Sequence, residues 1–178
     1  SVYWFAKDAK KAKANNKRVL VEYSKGMQRL LRTQTYNTGK RPSDQSINET
    51  AFLKDNGGAI PANIIVSSNT NSQDQYLRKS REYGLSAHPA RFPYDLPDFF
   101  IKLCTTTKNN LIFDPFAGSN TTGYVAEKNN RRWVSCDLDE EKKQSGRYVT
   151  MSSLRFDKIK KGPGWNGPKY DKWKEWKN

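Results

Sequence analysis

The apolar positions of the chain fall into short runs separated by long polar stretches, and one pair of runs sets the plan. Leu111-Ile112-Phe113 is an apolar run that ends in an acid, Asp114. A turn of small and hydroxyl-bearing residues follows, from Ala117 through Gly118, Ser119, Asn120, Thr121 and Thr122 to Gly123, and then a helical pattern to about Asn129. A second run, Trp133-Val134-Ser135-Cys136, closes on another acid, Asp137. Buried strands of a parallel sheet read as short apolar runs of this kind. Strand, glycine turn, helix, strand, acid is the plan of a nucleotide-binding βαβ unit.

The remaining pattern predicts short elements around that unit. Val2 to Phe5 and Ile60 to Val66 read as strands, and Val19 to Val21 as a shorter one. Met27, Leu30 and Leu31 have helical spacing and one core-facing stripe. From Thr33 to Asn56 periodicity is lost, with Gly39 and Pro42 as punctuation. Tyr76 to Tyr83 predicts a short helix closed by Gly84. Asp95 as cap and Pro97 in the first turn open a further helix. Its apolar stripe is Leu96, Phe99, Phe100, Leu103 and Cys104. A mixed-charge helix is expected from Glu140 to about Val149.

The turn narrows the ligand. Small residues keep side chains away from a ligand that approaches the backbone, and the helix behind them points free N–H groups at it. Asn120 stands where a dinucleotide fingerprint has its middle glycine, and no Gly-Lys-Ser/Thr phosphate loop is present. An acid at the end of the first strand disfavours phosphate and suits a cation. S-adenosylmethionine carries a sulfonium, an ammonium and a ribose, and so fits. Asp137 lies 23 residues after Asp114, where a strand-end acid accepts from ribose hydroxyls. On the residues alone, a glycine turn that binds nothing in an ordinary α/β domain stays open.

Two stretches carry a resemblance. Asp114 to Gly123, DPFAGSNTTG, resembles the cofactor motif of the amino-methylating DNA methyltransferases. His88 to Pro93, HPARFP, is similar to a second motif of that family. Their order, with His88 26 residues before Asp114, is that of the permuted "beta" group. The resemblance implies an α/β fold: a partial Rossmann-like S-adenosylmethionine-dependent methyltransferase sheet with an inserted, irregular target-recognition region. It implies late strands of that sheet in residues 1–23, target recognition in 24–84, a cofactor-binding βαβ region in 85–150 and a basic aromatic tail in 151–178. Asp114, Phe116, Gly118 and Asn120 would line the methionine end of the cofactor. Ser119, Thr121 and Thr122 would position it, Asp137 would bind the ribose, and His88, Pro89, Ala90 and Arg91 would form the adjoining wall. Arg32, Gln34, Asn37, Arg41, Gln45 and Asn48 have side chains suited to reading base edges.

Charge agrees with a polyanionic partner. The net charge of +14 is concentrated at the ends: residues 1–41 carry 11 basic and 2 acidic groups, and 151–178 carry 8 and 3. The two stretches between are each neutral. Basic surfaces of this kind bind nucleic-acid backbones by releasing counterions, and double-stranded DNA is the expected partner. Tryptophans interleaved with lysines after Gly162 suit either stacking on bases or packing on the domain. Hydrophobic residues make up only 35% and the mean hydropathy is −0.95, so the core is small. Cys104 and Cys136 read as buried free thiols, which suits a reducing bacterial or archaeal cytoplasm. His88 is the single histidine, so no metal site is expected.

One part of the chemistry is missing. The family's catalytic motif is Ser, Asp or Asn followed by Pro-Pro and an aromatic, and none of the 8 prolines here is adjacent to another. An exocyclic amine has its lone pair delocalised into the ring. The base must be flipped out and stacked, and its amine held by well-placed acceptors. No catalytic residue is therefore assigned in this chain. Methylation at carbon 5 is disfavoured, because neither cysteine follows a proline. The chain starts at Ser1 in what reads as a strand already under way, so an upstream segment or split subunit is expected to carry the catalytic motif. Within the family, GSNTTG with HPARFP resembles the cytosine-N4 enzymes more than the adenine-N6 enzymes, where the residue at the position of Asn120 is usually glycine. An RNA methyltransferase and a non-catalytic nucleic-acid-binding subunit are the alternatives.

Overall fold

The computed structural model describes residues 2–36, 39–40, 42–44, 46–48, 50, 52–68, 74–138 and 151–156. The helix expected from Glu140 to Val149 and the tryptophan-rich tail lie outside the described residues, as do Asn37, Arg41 and Gln45. The chain forms two compact units, Ser1–Ile64 and Ile65–Asn178. Their boundary falls inside the stretch expected to read the target.

In the first unit, helix α1 spans Lys25–Thr33. It starts where the Met27 N–H donates to Ser24 Oγ at 3.3 Å, and it stops at Gln34, which takes a left-handed conformation. Capping of this kind satisfies backbone groups the helix leaves unpaired. Leu30 is buried on its inner face, as the spacing predicts. Strands β1 (Gly39–Lys40) and β2 (Ser46–Ile47) pair antiparallel. Val19 is buried, and Val21 forms a single bridge to Ala59. Val2 to Phe5 is not a strand: Tyr3 and Phe5 are exposed. Nor is Ile60 to Val66, where Ile60, Ile64 and Val66 face solvent. An apolar run becomes a strand only beside a partner strand, and neither run has one among the described residues.

The second unit holds helices α2 (Gln75–Glu82) and α3 (Asp95–Cys104), strand β3 (Leu111–Asp114), helix α4 (Thr121–Lys128) and strand β4 (Arg132–Ser135). Strands β3 and β4 are parallel, with Ile112 opposite Trp133 and Asp114 opposite Ser135. The ladder continues past the strands through Cys136 N–H to Asp114 O and Ala117 N–H to Cys136 O, both 2.9 Å. An α/β unit with a small parallel sheet is thus present where the apolar runs place it. Helix α4 lies on one face of the pair and packs against α3. Ile101, Val125 and Ala126 form the buried cluster there, with Ile112, Tyr94, Tyr124 and Trp133 around it. A second cluster joins Tyr76 of α2 to Met151 and Leu154.

Helix α3 sits differently from its expected stripe. Pro97, Ile101 and Leu103 are buried, whereas Cys104 is exposed and Leu96, Phe99 and Phe100 are half-buried. The helix turns Ile101 toward Val125 and Ala126, which rotates Cys104 outward. Asp95 is not the cap. Tyr94 occupies that position without a side-chain bond, and Asp95 accepts from Ser67 Oγ instead. Neither cysteine is in a disulfide, as expected, but both are exposed rather than buried.

Candidate cofactor site

The glycine turn sits at the C-terminal end of β3, where open parallel sheets bind ligands. Its conformation depends on two glycines and one asparagine. Gly118 has φ +51°, and a Cβ there would stand 3.2 Å from the His88 ring. The ring of the histidine in the second sequence motif therefore occupies the space a side chain at Gly118 would take. Asn120 is left-handed, with φ 55° and ψ 46°, and it caps α4. Its Oδ1 accepts from the Gly123 N–H at 3.0 Å and from Ser135 Oγ at 2.8 Å. A side chain at Gly123 would collide with that amide.

The expected site residues divide by where their side chains go. Asp114 is half-buried, and its Oδ1 accepts from the Phe116 N–H at 3.0 Å. Phe116 is 86% exposed at the lip of the turn. Thr122 is half-buried. Ser119, Asn120 and Thr121 are almost wholly buried, backbone included, so they shape the turn rather than present groups to a ligand. Asp137 Oδ2 accepts from the Gly118 N–H and Oδ1 from the Leu138 N–H at 2.7 Å. The strand-end acid is thus clasped to the turn itself.

The HPARFP loop is brought to the same place. The His88 N–H donates to Tyr76 Oη at 2.9 Å, and its Nδ1 meets the Ala90 carbonyl at 2.6 Å. Pro89 and Ala90 are exposed. Arg91 Nη1 lies 3.7 Å from Asp74, and the buried Arg91 Nε has no hydrogen-bond partner among the described residues.

Beneath the turn is a group of residues that sequence reasoning did not single out. Asp74 accepts from the Tyr76 N–H (3.1 Å) and from Tyr94 Oη (2.6 Å), and it pairs with Arg155 at 3.0 Å. Tyr94 is pushed well above the ordinary tyrosine range, first by burial and then by its bond to Asp74. Asp74 carried a detectable signal as a helix cap ahead of Gln75. Arg155 carried none.

The arrangement fits the cofactor suggested by the residues. A side chain at Gly118 would press on the His88 ring that walls the turn, and the strand-end acids Asp114 and Asp137 each accept from a backbone N–H of the turn. We expect Asn120→Ala to cost about 2 kcal/mol, from a lost cap and a strained left-handed alanine. Asn120→Gly should cost about half as much, since glycine adopts that conformation freely. Urea unfolding of the two variants checks the order, and equal losses would remove the backbone strain from the account.

Comparison with known proteins places the chain. Residues 1–147 match the model of the DNA methylase family of N6 and N4 methyltransferases. The type II methyltransferase M.PvuII of Proteus hauseri is 42% identical over 158 residues, covering 88% of this chain and 44% of that protein. The type II methyltransferase M2.LlaDCHI of Lactococcus lactis subsp. cremoris is 33% identical over 82 residues, covering 46% of this chain and 28% of its own length. Among solved structures, the cytosine-N4-specific PvuII DNA methyltransferase aligns with 44% identity and a TM-score of 0.48, covering 57% of this chain and 34% of that one. The chain spans less than half the length of these relatives. With both sequence motifs brought together at one turn and 147 residues matched, the chain belongs to the DNA methylase family.

Proposed function

We propose that this chain is the cofactor-binding and DNA-recognising part of a site-specific DNA methyltransferase acting on the exocyclic N4 amine of cytosine. The observation that carries the proposal is the contact of Gly118 with His88, which sets the two motif segments against each other at the end of β3. When bound, S-adenosylmethionine supplies an electrophilic methyl group. Asp114, half-buried at the end of β3, would face its cationic end, with His88 as the wall. Asp137 would receive the ribose hydroxyls. A carboxylate oxygen accepts more than one hydrogen bond, so the clasp on Gly118 can persist. Asp137→Ala should weaken cofactor binding by roughly 1–3 kcal/mol. Unchanged affinity in a calorimetric titration would remove Asp137 from the site.

The acceptors that hold and activate the target amine are assigned to a segment outside these residues. Two observations support this. No Pro-Pro-aromatic sequence is present. Among the described residues one face of the parallel pair is also uncovered, with Leu111 53%, Phe113 62% and Val134 47% exposed. A strand of a complete Rossmann-like sheet would have that face covered. The basic run Lys7 to Arg18 is largely exposed and suits phosphate contacts, and the exposed Arg32, Gln34 and Asn48 suit base edges.

The test is methyl transfer from labelled S-adenosylmethionine to duplex DNA, with and without a polypeptide carrying the Pro-Pro-aromatic motif. We expect N4-methylcytosine in the digested product only when that polypeptide is added. N6-methyladenine would overturn the assigned base. No transfer with any such segment, and no cofactor binding, would indicate a nucleic-acid-binding subunit. No helix among the described residues is long and apolar enough to cross a membrane.

A further inference from the structure

We propose that Arg155 is a positioning residue that sets the shape of the cofactor turn from beneath, and that its loss weakens methyl-donor binding at the methionine end. The inference rests on the turn being the methyl-donor site. Arg155 is 2% exposed, among the most buried charged groups described. Each of its three guanidinium nitrogens is in use. Nε donates to the Ser119 carbonyl, and Nη2 donates to Ser119 Oγ at 2.8 Å and Thr121 Oγ1 at 3.4 Å. Nη1 donates to the Asp74 carboxylate at 3.0 and 3.2 Å and to Tyr94 Oη at 2.7 Å. The guanidinium plane also lies over the Tyr76 ring, 4.7 Å from its centroid.

These contacts link the two motif segments. On one side Arg155 grips the turn on both sides of Asn120, through Ser119 and Thr121. On the other it rests on Tyr76, whose hydroxyl accepts the His88 N–H, and His88 lies against Gly118. A single side chain therefore fixes the height of the turn relative to the loop that walls it. Lysine cannot reproduce this, because an ammonium has no planar fork to reach carbonyl, hydroxyl and carboxylate together. Arg155 is 2% exposed with all three guanidinium nitrogens bonded within the protein, so it holds the ligand's support and not the ligand.

The experiment uses calorimetric titration of the full chain with two probes, S-adenosylmethionine and 5′-methylthioadenosine, which lacks the amino-acid end. Variants are Arg155→Met, Arg155→Lys and Ser119→Ala, each checked by circular dichroism. We expect Arg155→Met to lose about ten- to hundredfold in affinity for S-adenosylmethionine and less than about threefold for 5′-methylthioadenosine. Arg155→Lys should not rescue it. Ser119→Ala removes one acceptor with little risk to the fold. It should lose severalfold on the same probe, and the double variant Ser119→Ala with Arg155→Met should be no worse than Arg155→Met alone. If Arg155→Met does not fold, Ser119→Ala alone decides: an unchanged S-adenosylmethionine affinity overturns the proposal. Equal losses on both probes, or full rescue by lysine, also overturn it. Failure of the unsubstituted chain to bind S-adenosylmethionine, even with an upstream segment present, instead removes the methyl-donor reading on which it rests.

Discussion

Gly118→Val should reduce affinity for S-adenosylmethionine on the order of a hundredfold while leaving the unit folded. Two effects combine. The backbone at φ +51° disfavours a β-branched residue by about 1–2 kcal/mol, and relieving that strain moves the turn. The new Cβ would stand 3.2 Å from the His88 ring, so the ring must shift or the turn must lift. Either change breaks the Gly118 N–H bond to Asp137 that holds the strand-end acid toward the ligand, about one charge-assisted hydrogen bond, or ~1.5–3 kcal/mol. At 1.4 kcal/mol per decade, a total near 3 kcal/mol is about two decades of affinity. Gly118→Ala should fall between the parent and Gly118→Val. A Gly118→Val protein that binds the cofactor like its parent would mean that the ligand does not approach this backbone.

Asp74→Ala should be the most destabilising single change in the second unit, by about 3–5 kcal/mol. Arg155 is buried, and Asp74 is the carboxylate paired with it at 3.0 Å. Removing one member of a buried pair leaves the other charge without compensation, which costs far more than the pair contributes. Asp74 is also the cap of α2 and an acceptor for Tyr94 Oη, so two further hydrogen bonds go with it. Asp74→Asn keeps an acceptor oxygen and should cost clearly less. Urea unfolding measures both. A loss under about 1 kcal/mol for Asp74→Ala would mean that Arg155 finds water or another acid when its partner is removed.

The βαβ unit was legible because its signals are local. An apolar run beside an acid, a glycine turn and a second run need no distant information, and β3, α4 and β4 lie where those runs place them. Helices α1 and α2 were legible for the same reason, α1 from its apolar spacing and α2 from its closing glycine. Val2 to Phe5 and Ile60 to Val66 read as strands and are not, because pairing is a non-local property. The apolar run shows only that a strand is affordable. The inner face of α3 was misjudged, since Ile101 faces α4 and the sequence does not say where α4 lies. Within the site, the residues of the turn were named correctly as a group, but their side chains were not separable. Asn120 turns inward as a cap, and Ser119 and Thr121 turn inward to Arg155. Arg155 meets Asp74 across 81 residues, and no pattern in the sequence marks that pairing.

The central claim is that the bend after β3 holds a methyl donor while the groups that activate the target base lie elsewhere. The most direct measurement is a calorimetric titration of S-adenosylmethionine into this chain, followed by addition of duplex DNA and assay of methyl transfer. The account predicts saturable binding at one site, lost in Gly118→Val, and no methylated base. Methylated DNA from this chain alone would contradict it, as would binding that Gly118→Val leaves unchanged.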